Sequence, residues 1–438
     1  MSNVSSSNSQ GELVPELRFP EDKSDWKVIV FENLFDVLTN NTLSRAELSF
    51  DGKIKNIHYG DILTKYGNIL DMNEECVPYI NINSTVKYNE SYLKDGDIII
   101  ADTAEDITVG KTTEIYNLKY NLALSGLHTI PCRPKIKFEP KYLGYYMNGP
   151  QYHKQLFPLM QGIKVLSISK SNITKTIIRY PSIDVQKKQT HILSLLDKKI
   201  RKQNELINCL KSYKRGLLAR LFPKKGDTVP ELRFKEFTAD WEQRKLSDIV
   251  DVLDGDRGKN YPTSIDFDDS GHTLFLNASN VTNGGFLFQD NQFITEEKSN
   301  SMGNGKLEED DIVITSRGSL GHIAWYNADI SRSVPYARIN SGMLILRNKK
   351  EVETEYLYHF MKSDKGQSQI SFMSFGSAQP QLTKKGVESL EVVLPPKSDE
   401  QLKIGDYFEY LDHLITLHQQ KLDMYTTVKK YLLQKMFV

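Results

Sequence analysis

The chain is poor in cysteine, carries no surplus charge of either sign and has no long apolar run. Three cysteines in 438 residues, without a CxxC pair, disfavour a disulfide framework or a zinc ribbon and fit a reducing cytoplasm. Lys plus Arg and Asp plus Glu number 56 each, a balance that disfavours a protein that grips nucleic acid alone. No run approaches the roughly 20 apolar residues of a membrane span, so no membrane contact is expected. Residues 1–20 are polar, lack the apolar core of a secretory signal and predict an N-terminal tail.

Reactive motifs are missing as well. The chain has no GxxxxGK[ST] phosphate loop, no HExxH, no Asn-Pro-Pro-Phe or Asp-Pro-Pro-Tyr tetrapeptide of the kind that amino-methyltransferases use, and no glycine-rich cofactor loop at a strand end. His128, His153 and His191 are isolated, and each is interpreted as a surface or core imidazole rather than a metal ligand. The sequence therefore predicts a binding protein without a catalytic, metal or cofactor site of its own.

What the chain does contain is an internal duplication. The hexapeptide VPELRF occupies residues 14–19 and returns 215 residues later at 229–234. Near the ends of the two copies, residues 214–222 match residues 429–437 at the same offset. A period of this length excludes a solenoid or a propeller and predicts two large homologous halves related by a pseudo-two-fold axis.

Each half begins with a part of mixed secondary structure. Short apolar runs bounded by turn residues predict strands at 97–100, 311–314, 342–346 and 391–394. Between them, residues 142–147 and the matching residues 356–361 predict helices. The expected fold class is therefore α+β, with two homologous mixed α/β domains.

Each half ends in one long helix. Apolar residues recur at alternating spacings of three and four, and the two copies agree position for position, including polar interruptions at Lys214 and Lys429. This heptad seam predicts that the two helices, each about 54 Å long, form an antiparallel coiled coil with the globular parts at opposite ends of a rod. The alternative is that each amphipathic helix lies on its own globular domain.

These patterns divide the chain into six parts. They are a tail at 1–20, a mixed domain at 21–183, a central helix at 184–223, a linker at 224–236, a second mixed domain at 237–395 and a C-terminal helix at 396–438.

Several stretches recur in the same order in both halves. They are residues 186–200 and 400–415, each just after a proline-ended strand, the loops at 276–281, 314–318 and 376–383, and the loops at 58–62 and 162–169. In this order the sequence resembles, over essentially its full length, the specificity subunit of type I restriction-modification systems.

The resemblance implies two target recognition domains, each reading one half of a bipartite, asymmetric DNA site. The helices would fix the gap between the half-sites and dock two modification subunits, which carry S-adenosylmethionine and methylate adenine. Two restriction subunits, which use ATP and Mg, would complete an endonuclease. Two alternatives stay open: a self-contained DNA methyltransferase or nuclease, and a coiled-coil scaffold that does not bind DNA.

DNA readout uses Arg toward guanine and Asn or Gln toward adenine, while Lys, Arg, Ser and Thr anchor phosphates. On this basis the candidates in the second domain are Arg257, Lys259, Asn260, Asn277, Thr315, Ser316, Arg317, Gln379 and Gln381. For each of them, an ordinary polar turn is the alternative interpretation.

The first domain differs at the matching positions. At an offset of 214, Ala101, Asp102 and Thr103 stand where the second domain has Thr315, Ser316 and Arg317, so the arginine is lost and the two half-sites are expected to differ in sequence. The candidates of the first domain are Lys65, Tyr66, Asn68, Asp102, Thr103, Lys164, Ser167, Ser169 and Lys170. A solvated loop is the alternative for these residues.

Charge is distributed unequally between the two helices. Residues 184–225 contain 12 Lys or Arg and three Asp or Glu, whereas residues 397–435 contain six of each. The basic helix is expected to face DNA phosphates between the half-sites or an acidic surface of a modification subunit, and a solvated basic face is the alternative.

Overall fold

The computed structural model describes residues 14–22, 26–81, 91–224, 226–373 and 381–438. The chain divides into two compact units. Unit 1 comprises Met1–Asn204 and Gln420–Val438, and unit 2 comprises Glu205–Gln419. Each long helix therefore contributes one part to each unit.

Unit 1 contains thirteen of the strands, five short helices and the start of a long one. The strands are β1 (Lys27–Val30), β2 (Phe35–Val37), β3 (Leu48–Ser49), β4 (Ile54–Ile57), β5 (Ile69–Asp71), β6 (Tyr79–Ile80), β7 (Ile98–Ala101), β8 (Thr103–Ala104), β9 (Thr112–Tyr116), β10 (Leu122–Ser125), β11 (Thr129–Pro134), β12 (Leu166–Ser167) and β13 (Ile177–Tyr180). The helices are α1 (Phe31–Leu34), α2 (Tyr59–Thr64), α3 (Tyr142–Met147), α4 (Pro150–His153), α5 (Lys170–Ile173) and the long α6 (Ile183–Leu221), with 3₁₀ turns at Arg45–Glu47 and Phe157–Leu159.

Unit 2 repeats this plan. Its strands are β14 (Glu242–Lys245), β15 (Val250–Asp254), β16 (Thr273–Leu276), β17 (Val281–Thr282), β18 (Gly285–Phe286), β19 (Phe293–Ile294), β20 (Asp311–Thr315), β21 (Ile323–Tyr326), β22 (Ala337–Ile339), β23 (Met343–Asn348) and β24 (Glu391–Leu394). Its helices are α7 (Leu246–Ile249), α8 (Glu296–Ser301), α9 (Ala328–Ser333), α10 (Thr354–Lys362), α11 (Asp364–Met373), α12 (Lys384–Glu388) and the long α13 (Ser398–Lys435), with 3₁₀ turns at Ser264–Asp266 and Ala278–Asn280.

The main sheet is built twice, and four strands follow the same order in both units, with β5 as an additional strand in unit 1. It runs β2-β11-β7-β9-β5 in unit 1 and β15-β23-β20-β21 in unit 2. The registers agree too, because Ala101 pairs with Thr129 as Thr315 pairs with Met343, an offset of 214 in both strands. A two-stranded sheet, β1-β13 in unit 1 and β14-β24 in unit 2, is also repeated. The predicted duplication of a mixed α/β domain is confirmed.

Each core is closed by an aromatic residue that follows the end of a long helix. In unit 1, Phe437 packs edge-on against Tyr142 and Tyr146, with ring centroids 5.9 Å apart in both pairs. In unit 2, Phe222 packs against Tyr356 and Phe360 at 5.5 and 5.7 Å. Buried aromatic side chains contribute large apolar areas, so the helix ends are anchored where α6 and α13 stop.

The repeated hexapeptide closes the carboxyl end of each long helix. The Leu17 N–H donates to the Lys435 carbonyl in unit 1, and the Leu232 N–H donates to the Arg220 carbonyl in unit 2, both at 2.9 Å. The glutamate before each leucine pairs with the same helix residue, Glu16 with Lys435 and Glu231 with Arg220. The last carbonyls of a helix lack intrahelical partners, and the repeat supplies one of them.

The two long helices run antiparallel within each unit. In unit 1, Asp197 pairs with Lys429 at 2.5 Å, and Gln189 donates to the carbonyl of Met436 at 2.7 Å. The residue that comes earlier in the first segment thus contacts the residue that comes later in the second, as in an antiparallel pair. In unit 2, Lys214 pairs with Asp412 at 2.5 Å. The predicted helix pairing is thus confirmed, although α6 ends at Leu221 rather than at residue 223.

The helices also pack on the globular parts, as the alternative interpretation supposed. Leu193 belongs to the core of unit 1, and Phe408 and Leu411 belong to the core of unit 2. Within the described part of the chain, no helix combines the length and the apolar character needed to cross a bilayer.

Candidate nucleic-acid interface

In unit 2, two loops meet where β20 ends. The N–H groups of Ser316 and Arg317 both donate to the Gly342 carbonyl, at 2.8 and 3.2 Å, and the Leu382 N–H donates to the Ser316 carbonyl at 3.0 Å. The backbone therefore holds residues 316–317, 342 and 381–382 side by side. Arg317 is exposed, and its Nε donates to Oε1 of Gln381 at 3.1 Å. The two terminal nitrogens of this guanidinium make no hydrogen bond to another described residue.

A third loop joins this edge through residues 340–341. Nη2 of the exposed Arg257 donates to the Ser341 carbonyl at 3.2 Å. A Cβ on Gly255 would lie 2.2 Å from the Asn340 oxygen, so only glycine permits this close approach. The Asn340 N–H in turn donates to the Leu276 carbonyl at 3.0 Å, beside Asn277. Arg257, Asn277, Arg317 and Gln381 thus form one group, the unit 2 readout cluster.

The remaining candidates of unit 2 have other positions. Thr315 is fully buried, and its Oγ1 accepts from the His322 N–H at 2.9 Å, which fixes the turn between β20 and β21. Ser316 is buried as well. Neither side chain lies where a base could reach it. Asn260 donates to the Ser301 carbonyl at 2.6 Å, Lys259 is exposed, and Gln379 lies outside the described residues.

Unit 1 builds the same edge from different residues. The Asp102 N–H donates to the His128 carbonyl at 3.1 Å, and the Ile168 N–H donates to the Asp102 carbonyl at 2.8 Å. Both bonds are the counterparts, at an offset of 214, of those that surround Ser316. Thr103 pairs with Ser167 between β8 and β12. Asp102, Thr103 and Ser167, with the adjacent His128, form the unit 1 readout cluster.

His128, which the sequence analysis interpreted as a surface or core imidazole, was not among the predicted DNA-binding candidates. Its exposed imidazole Nδ1 lies 3.3 Å from the Asp102 carboxylate, and its ring meets Tyr59 edge-on at 5.2 Å. Its φ of 53° is left-handed, an uncommon conformation outside glycine. The matching residue of unit 2 is Gly342, which has no side chain to mark the position. Only the cross-strand pairing of β7 with β11 brings His128 to Asp102.

Two other groups of candidates in unit 1 are separated in the structure. Ser169 caps α5 by accepting from the Asn172 N–H at 3.2 Å, as Thr383 caps α12, and Lys170 Nζ lies 3.4 Å from Oδ1 of Asn40. These residues directly follow Ser167 and border the unit 1 readout cluster. Lys164 is exposed in the preceding turn.

Lys65, Tyr66 and Asn68 do not join that cluster. The Asn68 carbonyl accepts from the Glu114 N–H at 3.0 Å, and Glu114 pairs with Ile98, at the opposite end of β7 from Ala101. Lys65 Nζ donates to the Cys76 carbonyl. Tyr66 is 1% exposed, and burial raises the pKa of its phenol. The buried phenol and the position at the far end of β7 separate these candidates from the unit 1 readout cluster.

Much of the charge surplus of α6 is neutralised locally. Six of the 12 basic residues between positions 184 and 225 form ion pairs with described carboxylates: Lys187 with Asp184, Lys188 with Glu21, Arg201 with Glu74, Lys214 with Asp412, and Arg220 and Lys224 with Glu231. The helix is therefore less cationic at its surface than the sequence count suggests.

Comparison with known proteins agrees with this architecture. A family model described as type I restriction modification DNA specificity domain matches residues 23–212 and 238–424. A putative type I restriction enzyme MjaX specificity subunit of Methanocaldococcus jannaschii is 24% identical over 425 residues, 93% of this chain and 91% of that protein. The MjaVIII specificity subunit of the same organism is 24% identical over 277 residues, 62% of this chain and 63% of that protein.

Two solved structures share the fold. The S subunit of a type I restriction-modification system from M. genitalium has a TM-score of 0.59 and 16% identity, covering 97% of this chain and 99% of that one. A chain solved in work on complex assembly and conformational transition of the type I R-M system has a TM-score of 0.53 and 14% identity, covering 93% and 96%. At these identities the likeness concerns the fold alone.

Proposed function

Because the chain belongs to the type I restriction modification DNA specificity family, whose members are the non-catalytic DNA-recognition component, we propose that each unit is a target recognition domain that reads one half of a bipartite, asymmetric DNA site. The observation that carries this proposal is the pair of readout clusters. Matching backbone hydrogen bonds hold Asp102 in unit 1 and Ser316 in unit 2, whereas the side chains of the two clusters differ. A repeated frame with exchanged side chains suits a protein that recognises two different half-sites.

The chemistry of the two clusters differs in a way that predicts different bases. Arg317 has two free terminal nitrogens, the arrangement that contacts guanine O6 and N7. In unit 1 the Asp102 carboxylate can accept from the cytosine amino group, and His128 adds an imidazole beside it. Lys170, which borders the unit 1 readout cluster, and Arg257, a member of the unit 2 readout cluster, suit phosphate contacts that fix the register on the duplex.

The long helices have two roles in this proposal. They set the gap between half-sites, and they dock two modification subunits that carry S-adenosylmethionine and methylate adenine. An exposed row of apolar residues on α13, spaced by seven, supports the docking role: Tyr410, Leu417, Met424 and Tyr431. A heptad spacing is what a partner helix packs against. This row is called the outer seam below.

The complete assembly would add two restriction subunits that use ATP and Mg, and this chain would bind no cofactor itself. We assign the complex to the cytoplasm, in keeping with three cysteines that are all free. The alternative of a self-contained methyltransferase or nuclease has no support in the family match, and neither has a scaffold that ignores DNA.

Mapping methylated adenines across a genome tests the proposed function. Cells that express the modification subunit with this chain should gain methylation at one two-part motif, and cells that express the modification subunit alone should not. Methylation of the same motif in both strains, or of no defined motif, would refute the proposal.

A further inference from the structure

Unit 2 contains a cationic cavity outside the readout cluster. It has a volume of about 630 Å³ and is bordered by α6, α10, α13 and the β17–β18 hairpin. Four basic side chains and two carboxylates line it: Lys211, Lys214, Arg215, Lys362, Glu409 and Asp412. The positive charges therefore exceed the negative ones.

Part of this charge is already satisfied. Asp412 pairs with Lys214 at 2.5 Å. Lys362 has no such partner: its Nζ donates to the Tyr358 hydroxyl at 2.9 Å, and no described carboxylate lies within ion-pair distance. Burial lowers the pKa of the Lys362 ammonium, an effect that Asp412 only partly opposes. A largely buried ammonium that contacts a phenol gains from an added anion, because its lost hydration has not been replaced.

The mouth of the cavity is cationic as well. Lys211 and Arg215 stand one turn apart on α6, and both are exposed. Neither has an ion-pair partner in the described part of the chain. An oxyanion that entered the cavity would therefore meet two surface cations and then Lys362.

The cavity is continuous with the readout cluster along the chain. Asn277 of that cluster begins the 3₁₀ turn that leads into β17, and the β17–β18 hairpin supplies residues 283–286 of the cavity wall. The turn after β20, which carries Arg317, is tied to the same segment, because the His322 ring nitrogen lies 3.1 Å from the Val281 carbonyl. Residues proposed to contact bases and residues that line the cavity thus belong to one hydrogen-bonded segment.

We propose that this cavity binds a backbone phosphate of the DNA whose half-site unit 2 reads, with Lys362 as the inner donor and with Lys211 and Arg215 at the mouth. The inference rests on the proposed function and adds a contact to the DNA backbone that does not depend on the base sequence. A phosphate contact fixes the position of the duplex and carries no base information.

At the matching position, the described part of unit 1 has no equivalent anchor. At the offset of 214, Lys362 corresponds to Asn148, whose amide is used within the protein: Oδ1 accepts from the Thr112 N–H at 3.0 Å, and Nδ2 donates to the Thr112 carbonyl at 2.6 Å. The counterpart of Arg215, at the offset of the helices, is the exposed Lys430. Lys430 therefore offers a matched control.

The test measures DNA affinity against salt for the chain in complex with its modification subunits. The two probes are a duplex with the methylated motif and a duplex whose unit 2 half-site is scrambled. The variants are Lys362→Met, which removes the charge and keeps the stem, Lys211→Ala at the exposed mouth, and Lys430→Ala as the control. We expect each cavity variant to weaken both probes by the same factor, roughly tenfold for a lost charged hydrogen bond, and to reduce the slope of log affinity against log salt by about 1. Lys430→Ala should change neither quantity.

Three results would overturn the inference. One is an unchanged affinity and salt slope in Lys211→Ala and Lys362→Met. Another is loss of modification-subunit binding in these variants, which would identify the occupant as a partner carboxylate. The third is weakening of the motif duplex alone, which would make the cavity a base-reading site. If the wild-type complex shows no preference for the motif duplex, the proposed function itself fails.

Discussion

At the scale of single residues, Arg317 is positioned by one hydrogen bond and free to make two others. We expect Arg317→Ala to weaken recognition of the target by about 1–3 kcal/mol and to relax specificity at one base pair, because a bidentate guanine contact would be lost. Gln381→Ala should have a smaller effect, since it removes only the partner of Nε. Methylation rates on a panel of single-base variants of the motif would measure both changes.

Arg332 provides the control for this experiment. It is an exposed arginine of α9 in unit 2 that pairs with Asp329 at 2.5 Å and does not belong to the readout cluster. Arg332→Ala should leave methylation unaltered. Equal rates and equal specificity in Arg317→Ala and wild type would exclude the guanine contact.

Glu114 gives unit 1 a pH-dependent stability. Its buried carboxylate accepts from the N–H groups of Lys141 and Gly144 at 2.5 and 2.8 Å, and burial, partly offset by these bonds, raises its pKa to about 7. Between an ordinary pKa of 4.5 and this value, the folded state keeps a proton that the unfolded state has lost. The contribution of Glu114 to stability is therefore full below pH 4.5 and is lost as the pH rises to 7.

Glu114→Gln isolates this contribution, because a glutamine does not titrate. We expect the urea midpoint of wild type to exceed that of the variant most at about pH 5 and least at about pH 8. The variant should be less stable at both, since its amide turns a donor toward a backbone N–H. A difference in midpoint that does not change with pH would contradict the assigned titration.

The sequence named part of the two residue clusters that the structure brings together and did not name others, for a physical reason. The offset of 214 aligned Asp102 with Ser316 correctly. The Asp102 carbonyl accepts from the Ile168 N–H, and the Ser316 carbonyl accepts from the matching Leu382 N–H. Exposure could not be read from the sequence, and Thr315 and Tyr66 proved to be buried. His128 was missed because its relation to Asp102 depends on the pairing of two strands far apart in the chain.

At the scale of secondary-structure elements, the polar interruptions of the helical seam have partners. Lys214 pairs with Asp412, and Lys429 pairs with Asp197, so each helix supplies the lysine of one pair and the aspartate of the other. A buried or half-buried ion pair adds little net stability but penalises registers that leave its lysine unpaired. The heptad pattern located both lysines. The aspartates lie beside the seam, so their pairing with the lysines could not be predicted from that pattern.

The outer seam of α13 yields a prediction about assembly. We expect Leu417→Glu combined with Met424→Glu to reduce binding of the modification subunit at least about tenfold, because two charges would enter an apolar helix contact. Both side chains are exposed, so the chain itself should fold normally. Thr427→Glu, at an exposed position off the seam, is the control. Co-purification and light scattering would report the assembly, and an intact complex with the double variant would rule out this docking surface.

At the scale of the whole molecule, each long helix begins in one unit and ends in the other. Phe222 and Phe437 close cores that the opposite halves of the chain otherwise build. The duplication and the helices were predictable from the offset of 215 and the heptads. The division of each helix between two cores was not predictable, because it depends on the core in which Phe222 or Phe437 packs.

Lengthening both helices tests their role as a spacer. Seven residues inserted after Asn204 and after Gln419, where the units meet in sequence, keep the heptad register and add about 10 Å of helix. We expect the gap between half-sites to grow by about three base pairs, as mapping of methylated adenines would show. An active variant that methylates the original motif would refute this role. As a comparison, insertion of seven residues into α6 alone should abolish activity, because the two helices would lose their register.

Exchange of one domain tests whether the two units read DNA independently. Residues 237–395 contain Arg257, Arg317 and Gln381 but none of the unit 1 readout cluster, so replacing them with the domain of another family member should change one half-site only. The graft must keep aromatic residues at Tyr356 and Phe360, because Phe222 of α6 packs against both. Motif mapping would show one altered half and an unchanged gap, and a graft without these aromatics should be less stable by about 3–5 kcal/mol. A motif altered in both halves would mean that the units do not read independently, since nothing in the exchanged segment belongs to the cluster of unit 1.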